Sequence, residues 1–354
     1  MLESLLLQAL SNTDIDWLLN AGKVQEYAPD HALIHPRKYV NQAYFLLNGQ
    51  LSIAMPYQEW ENLMELAKLG RDTFVGRIPY LENFLPTATI HTQTSCRFLA
   101  IDQEQLSEKL VRDVDFAAHF YQLQTRLLLH RIRAVIMQAK LNPTVLYQIN
   151  LKEASSLFAE LQDSHLDWFI AVGQWHQLQE GDVLQQVYRP IEFLHIVLDG
   201  ALSLSFPDGA DNDLPGVFLP NSAEQIQATL QETARIARGD VFGEMQLIPG
   251  INSIALQTVQ VRAVRDTEVL SIPRWRILSK LIHDSGFALH FYRVLAILLA
   301  SKYQSILAEL GFLTQPETSA TDSDRLLTQM ARAETHFEWM VQRIQTKVIT
   351  GRNR

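Results

Sequence analysis

The chain has 354 residues and a mass of 40.4 kDa, with 47% hydrophobic and 19% charged residues. That is an ordinary soluble composition, with enough apolar material for two or three domains. Lys and Arg total 30 against 39 Asp and Glu, a formal net charge of -9, which opposes long-range attraction to nucleic acid or an anionic membrane. Cys96 is the single cysteine, so an intrachain disulfide and a thiolate-rich metal cluster are excluded.

The opening MLESLLLQALSNTDIDWLL has no basic n-region and no small-residue cleavage site, and reads as a folded helix of a cytoplasmic protein. No run approaches 18 apolar residues, so no membrane span is expected. Thr13-x-x-Asp16 is predicted to cap a short helix that ends before Gly22. Apolar and alternating segments follow, among them Ala43 to Ala54. This segment is broken at Asn48-Gly49, a pair suited to the left-handed positions of a tight hairpin. Phe116, Phe120, Leu123 and Leu127 then recur at helical spacing.

From Leu161 the same order returns. LSNTDIDWLLNAGKVQ (Leu10 to Gln25) lies over LQDSHLDWFIAVGQWH (Leu161 to His176), and FLLNGQLSI (Phe45 to Ile53) over IVLDGALSL (Ile196 to Leu204), both at an offset of 151. TATIHTQTSCRFLAI (Thr87 to Ile101) lies over TVQVRAVRDTEVLSI (Thr258 to Ile272), and FAAHFY over FALHFY, at an offset of 171. The chain is a duplication with about twenty residues added inside its second copy. The addition falls in a loop at 206–238, where Asp208-Gly209 and Pro215-Gly216 read as turns and Ala223 to Arg235 as a helix. It is either a surface insertion or a partner-binding loop or lid.

In copy two the helical stripe is Phe287, Phe291, Val294 and Leu298. The segment Phe287 to Leu313 has more large apolar side chains than one helix face requires. It therefore supports either a homodimer through the 287–313 helix or docking of the two copies within one chain. A polar linker, Thr314 to Asp324, precedes an amphipathic helix, Arg325 to Thr350, whose end carries Arg343, Lys347, Arg352 and Arg354. The expected domains are 1–145, 146–313, and a linker with C-terminal amphipathic helix at 314–354. The turn spacing favours a closed or sandwich-like antiparallel unit in each copy.

The succession LQEGDVL (178–184), LHIVLDGALSLS (194–205), IARGDVFGEMQLI (236–248) and VRAVRDTEVLSIP (261–273) resembles the cyclic-nucleotide-binding domain of catabolite-activator-like receptors and kinase regulatory subunits. Copy two resembles it well over Leu161 to Gly311, and copy one, Leu10 to about Lys140, more loosely. A tandem pair without an effector domain also resembles a cyanobacterial family associated with bacteriocin-type export. The resemblance implies a mainly β fold with added α: two tandem jelly-roll (double-stranded β-helix) barrels, each flanked by helices.

In that family a short helix offers backbone N–H groups to a cyclic phosphate, a Glu accepts from the ribose 2'-hydroxyl, and an Arg pairs with the phosphate. Mapped onto copy two, the site comprises Gly243, Glu244, Met245, Gln257 and Thr258. Gln257 stands where the Arg is expected and cannot neutralise a phosphate. Arg262 belongs to the following strand and does not replace it. Copy one departs further, with Arg77 in the Glu position and Pro86-Thr87 in the Arg and hydroxyl positions. Copy one is thus read as degenerate, and Glu244 as a mark of ancestry.

No H-E-x-x-H, G-x-S-x-G or P-loop is present, and His31, His35, His91, His165, His176 and His195 lack metal-ligand spacing. His119 and His290 occupy matched places where packing or capping accounts for them. No catalytic residue, metal or obligatory cofactor is expected. The reading is a non-enzymatic cytoplasmic regulatory or adaptor protein acting through protein partners. The alternative is a small-molecule sensor with a cyclic nucleotide in the second copy. The absence of a recognition-helix module disfavours DNA binding.

Overall fold

The computed structural model describes residues 8–35, 41–57, 62–71, 73–76, 89–141, 145, 158–207, 229–248, 259–310 and 320–352. The duplication is explicit in it. Copy one supplies β1 (Lys23–Tyr27), β2 (Ala32–Ile34), β3 (Gln42–Asn48), β4 (Leu51–Tyr57), β5 (Asn62–Leu69), β6 (Phe74–Val75), β7 (Thr89–Thr92) and β8 (Cys96–Asp102). Copy two supplies β9 (Gln174–Leu178), β10 (Val183–Gln185), β11 (Phe193–Asp199), β12 (Ala201–Pro207), β13 (Leu230–Ala237), β14 (Val241–Phe242), β15 (Gln260–Ala263) and β16 (Thr267–Pro273). The sheets repeat strand for strand: β1-β8-β3-β6 and β2-β7-β4-β5 in the first copy, β9-β16-β11-β14 and β10-β15-β12-β13 in the second.

These sheets correct the expected fold class. Each is an open, four-stranded antiparallel sheet with two edges, and none closes into a barrel. More of the described residues lie in helices than in strands, so the fold is mixed α/β, with two tandem sheet-and-helix repeats. In copy two the apolar core lies between its two sheets, with Val197, Phe242 and Val269 from one and Leu202, Leu204, Val261 and Ala263 from the other.

The glycine turns also differ from expectation. Gly49 and Gly200 have left-handed φ values of 110° and 91°, as an Asn-Gly or Asp-Gly pair suggests. However, β3 and β4 lie in different sheets, as do β11 and β12, so each turn is a corner between sheets and not a hairpin. The inserted segment is described only from Thr229 onward. There Leu230 to Arg235, expected as helix, belongs to β13, paired with β12 from Ala201↔Ala237 to Pro207↔Leu230. The ladder satisfies the backbone donors that a helix would otherwise satisfy, and Leu, Gln, Glu and Ala give only a weak helical preference against it.

The first helices are α1 (Asn12–Ala21), α2 (Gln103–Arg112) and α3 (Val114–Gln138). Copy two adds α4 (Asp163–Val172), α5 (Arg274–His283), α6 (Ser285–Glu309) and α7 (Ala320–Arg352). The cap of α1 is Ser11, earlier than the expected Thr13. Its Oγ accepts from the Asp14 N–H at 3.2 Å, and Asp14 Oδ2 accepts from the Ser11 N–H at 2.7 Å. In α4, Gln162 N donates to His165 Nδ1 at 3.3 Å, so Ser164 lies inside the helix. Gly22 and Gly173 end the two helices as expected.

The chain divides into two compact units: Met1–Lys140 with Ala288–Ser319, and Leu141–Phe287 with Ala320–Arg354. Most of α6 therefore belongs to the first unit. Gln122 and Thr125 of α3 donate to the hydroxyl and carbonyl of Tyr292 at 3.0 and 3.2 Å. The face that the sequence offered to a second copy, Phe291, Val294 and Leu298, is buried within the single chain. In the second unit α7 lays Ala333, Phe337, Met340, Val341 and Ile344 inward, the i, i+4, i+7, i+8, i+11 spacing of an amphipathic helix. Phe337 packs edge-on against Phe158 at 5.1 Å.

Candidate functional site

In the second unit β14 pairs with β11 through His195↔Phe242 and Ile196↔Val241, then ends at Gly243. Gly243 has φ 97°, and a Cβ there would lie 2.3 Å from the Phe193 carbonyl oxygen. Only glycine lets the chain turn so close to β11. A 3-10 turn, Glu244–Leu247, follows. Gln246 N donates to the Gly243 carbonyl and Ile248 N to the Met245 carbonyl, both at 3.3 Å.

Arg274, the first residue of α5, fixes this turn from outside. Its backbone N donates to the Glu192 carbonyl at 2.7 Å and its Nε to the Gln246 carbonyl at 2.9 Å. Glu244 is 5% exposed, and Met245 is also buried. Among the described residues Glu244 and Asp14 are the buried carboxylates. Gln257 and Thr258 lie outside the described residues, as do Arg77, Pro86 and Thr87 of copy one.

Beneath the turn lies a buried histidine. His195 Nδ1 is 2.8 Å from Ser271 Oγ, and its ring stacks on Phe242 at 6.1 Å. Burial, with a smaller contribution from nearby His176, lowers its pKa from 6.5 to about 3. The imidazole is neutral at pH 7 and supplies no charge for a phosphate. Arg262 Nη1 donates to the Gly181 carbonyl at 3.0 Å, which keeps it in the strand framework.

In the first unit the turn glycine is Gly76, with φ 158° and the Ala43 Cα 2.9 Å from a built Cβ. Arg131 of α3 donates to the Phe74 carbonyl just before it. Burial lowers the pKa of this guanidinium. His119 Nδ1 lies 2.7 Å from Asp14 Oδ2 and ties α3 to α1, while His290 Nδ1 lies 3.1 Å from Arg293 Nη2. Both histidines thus have local partners in the helices.

Sequence reasoning missed Arg274, His195 and Gln246 as parts of this site. Arg274 carried a usable signal, since a cation at the first position of a helix opposes the macrodipole and must be held there by another contact. His195 carried none, because its place beneath the turn depends on a register that pairs it with both Phe242 and Ser271. Among the described residues no group of three or more His, Cys, Asp or Glu is placed to hold a metal ion. No described helix is long and apolar enough to cross a membrane.

Comparison with known proteins finds a family likeness in the first copy. Residues 24–113 match the cyclic nucleotide-binding domain family, so the match falls on the copy whose resemblance the sequence reading takes as the looser. The chain is 27% identical over 152 residues to lysophospholipase NTE1 of Kluyveromyces lactis, a stretch covering 42% of this chain and 9% of that protein. Among solved structures, cAMP-bound PfPKA-R (141-441) is 15% identical, with 88% of each chain covered and a TM-score of 0.33. The catabolite activator protein of Thermus thermophilus is 19% identical, with 50% of this chain and 76% of that chain covered and a TM-score of 0.33. None of these likenesses supports the narrower resemblance to the bacteriocin-type export family. A cyclic nucleotide-binding domain is thus present in the chain, at residues 24–113.

Proposed function

We propose that the protein is a non-enzymatic regulatory sensor. Its second unit takes a cyclic nucleotide or a related ligand through Glu244, the backbone N–H groups at Gly243 and Met245, and the side chains of Gln257 and Thr258. The observation that carries this reading is the buried Glu244, set directly after a glycine that no other residue can replace. The family match at 24–113 supports the framework. A carboxylate in that position accepts from a ribose hydroxyl. The N–H groups and the Gln257 amide offer donors without a full positive charge. Affinity for a cyclic phosphate is therefore weaker than an arginine would give, since charge-assisted bonds are about twice as strong as neutral ones.

Calorimetric titration of the full chain with cyclic AMP, cyclic GMP and cyclic dinucleotides tests the reading. Saturable heat is expected with one of them, abolished in Glu244→Ala and strengthened about tenfold in Gln257→Arg. Thermal melts of the variants check that folding is retained. Absence of heat and of any thermal shift up to millimolar ligand overturns it.

A second reading, an adaptor with degenerate pockets that acts through protein contacts, is favoured by Gln257 and Pro86 standing where the phosphate arginines belong. The same titration separates the two.

A further inference from the structure

The 171-residue offset places α2 (Gln103–Arg112) on α5 (Arg274–His283) residue for residue. The two helices share one order of buried, half-buried and exposed positions from end to end. Leu106 and Leu110 are buried in the first, Ile277 and Leu281 in the second. The same five positions are exposed in both. In the first copy they carry Glu104, Gln105, Glu108, Val111 and Arg112, and Arg112 Nη1 lies 3.6 Å from Glu108 Oε2. That is an ordinary solvated face. In the second they carry Trp275, Arg276, Ser279, Ile282 and His283.

Both carboxylates are thus replaced, and α5 contains no acidic residue at all. Trp275 is 65% and Ile282 77% exposed. Seven residues fall within about 20° of two full helical turns, so these two side chains stand in line on one face of α5. The Arg276 guanidinium lies 4.8 Å from the centre of the Trp275 ring. On the other sides the helix is held firmly: Arg274 Nε donates to the Gln246 carbonyl at 2.9 Å, and Lys280 Nζ to Asp284 Oδ2 at 2.7 Å. The exposed face is therefore rigid before any partner arrives, which lowers the ordering cost of association. One exposed apolar side chain needs no explanation. A Trp and an Ile in line beside an Arg, where the matched helix sets two carboxylates, combine residue types that dominate binding at protein interfaces.

We propose that the exposed face of α5 docks an acidic amphipathic segment of a partner protein. Large apolar side chains of that segment cover Trp275 and Ile282, and a carboxylate pairs with Arg276. Charge selects the occupant. An acidic segment meets no like charge on α5, whereas Glu104 and Glu108 repel it from the matched face of α2. An anionic membrane fits less well, because a chain of net charge -9 is not drawn to one. A single Arg with two apolar side chains also falls short of the combined signals that hold a protein on lipid.

The probe is a fluorescein-labelled helical peptide repeating the heptad Leu-Glu-Glu-Leu-Leu-Glu-Glu, held dilute, titrated with the full-length protein and followed by anisotropy. Saturable binding is expected, weakened about tenfold or more by Trp275→Ala. Arg276→Gln and Ser279→Glu, which install the residues of the first copy, should each weaken it severalfold. The same peptide with Lys in place of Glu should bind about tenfold more weakly or worse. All three positions are exposed, so the variants retain the fold, and circular dichroism checks this. The proposal is overturned by no saturable binding up to millimolar protein, by equal affinity for the two peptides, or by affinity indifferent to all three substitutions. It is equally overturned if the protein ignores the peptide but sediments with phosphatidylglycerol vesicles in a Trp275-dependent way, which would make lipid the occupant. A wild-type dimer dissociated by Trp275→Ala would overturn it too, by making a second copy the occupant.

Discussion

At one and the same strand position the first unit carries Tyr44 and the second His195, each beside the strand that ends at the turn glycine. Burial acts on both in the same sense, against the charged form, yet the two groups respond in opposite directions. The Tyr44 pKa is pushed up to about 12, chiefly by burial and also by the neighbouring Tyr27. The His195 pKa is pushed down to about 3. Ser271, which meets His195 in the second unit, has Ala100 as its counterpart in the first. A duplicated framework has thus kept one backbone while the chemistry beneath the turn diverged. The same divergence separates α4, where Arg343 and Lys347 of α7 donate to Asp167 and to the Ile170 carbonyl, from α1, where Leu19 is 59% exposed. Backbone geometry is held by cooperative pairing of whole strands, whereas a single buried side chain need only find a local partner, so it drifts more freely.

Three comparisons test how far the copies have separated. The largest effect is expected at the helix cover. Met340→Ala empties a fully buried position on α7 and should destabilise the second unit by about 3–4 kcal/mol. Leu19→Ala, on the uncovered face of the first unit, should change stability by less than about 0.5 kcal/mol. Urea unfolding followed with hydrogen exchange reads both, and equal losses would mean that Leu19 is packed as Met340 is.

Next come the turn glycines. Gly243→Ala combines a left-handed φ with a backbone clash at 2.3 Å and should cost about 2–3 kcal/mol. Gly76→Ala meets a contact of 2.9 Å at a nearly extended φ and should cost less. The order of their melting temperatures checks this, and a reversed order would mean that the first turn is the more constrained.

The smallest effect is the pH response. Between pH 6.5 and about 3 an unfolded His195 binds a proton and the folded one does not, so stability falls as pH falls through that window. The loss should reach about 2 kcal/mol by pH 5. For Tyr44 the unfolded side chain releases its proton first, so stability falls as pH rises from 10 to about 12. His195→Tyr, which installs the residue of the first unit, should flatten the acid limb and leave the alkaline one. An unchanged acid limb would assign that limb to other groups.

Much of this was legible in the residues. The duplication, the helix stripes at Phe116 and Phe287, and the Gly243-Glu244 turn follow from spacing and identity alone. The closed barrel, the hairpins at Asn48-Gly49 and Asp199-Gly200, and the helix over Leu230 to Arg235 did not survive. A left-handed glycine permits a reversal without saying whether the strands it joins will pair. A run such as LQETARIA takes its state from the strand beside it. The dimer face was left open because an apolar stripe does not say whose surface covers it. Only long-range contacts, such as Thr125 to Tyr292, separated by 167 residues, settle that it packs within the first unit.

The assignment of α6 to the first unit bears on the order of synthesis. That unit needs Ala288–Ser319 to complete it, so α3 emerges from the ribosome with its polar contacts to Tyr292 unmade while residues 141–287 are added. At ordinary rates of translation that wait is on the order of 10 s, far longer than helix formation or collapse takes. The copy made first is therefore the one that finishes late, and nascent chains of this protein present an unfinished core to the folding machinery of the cell throughout that interval.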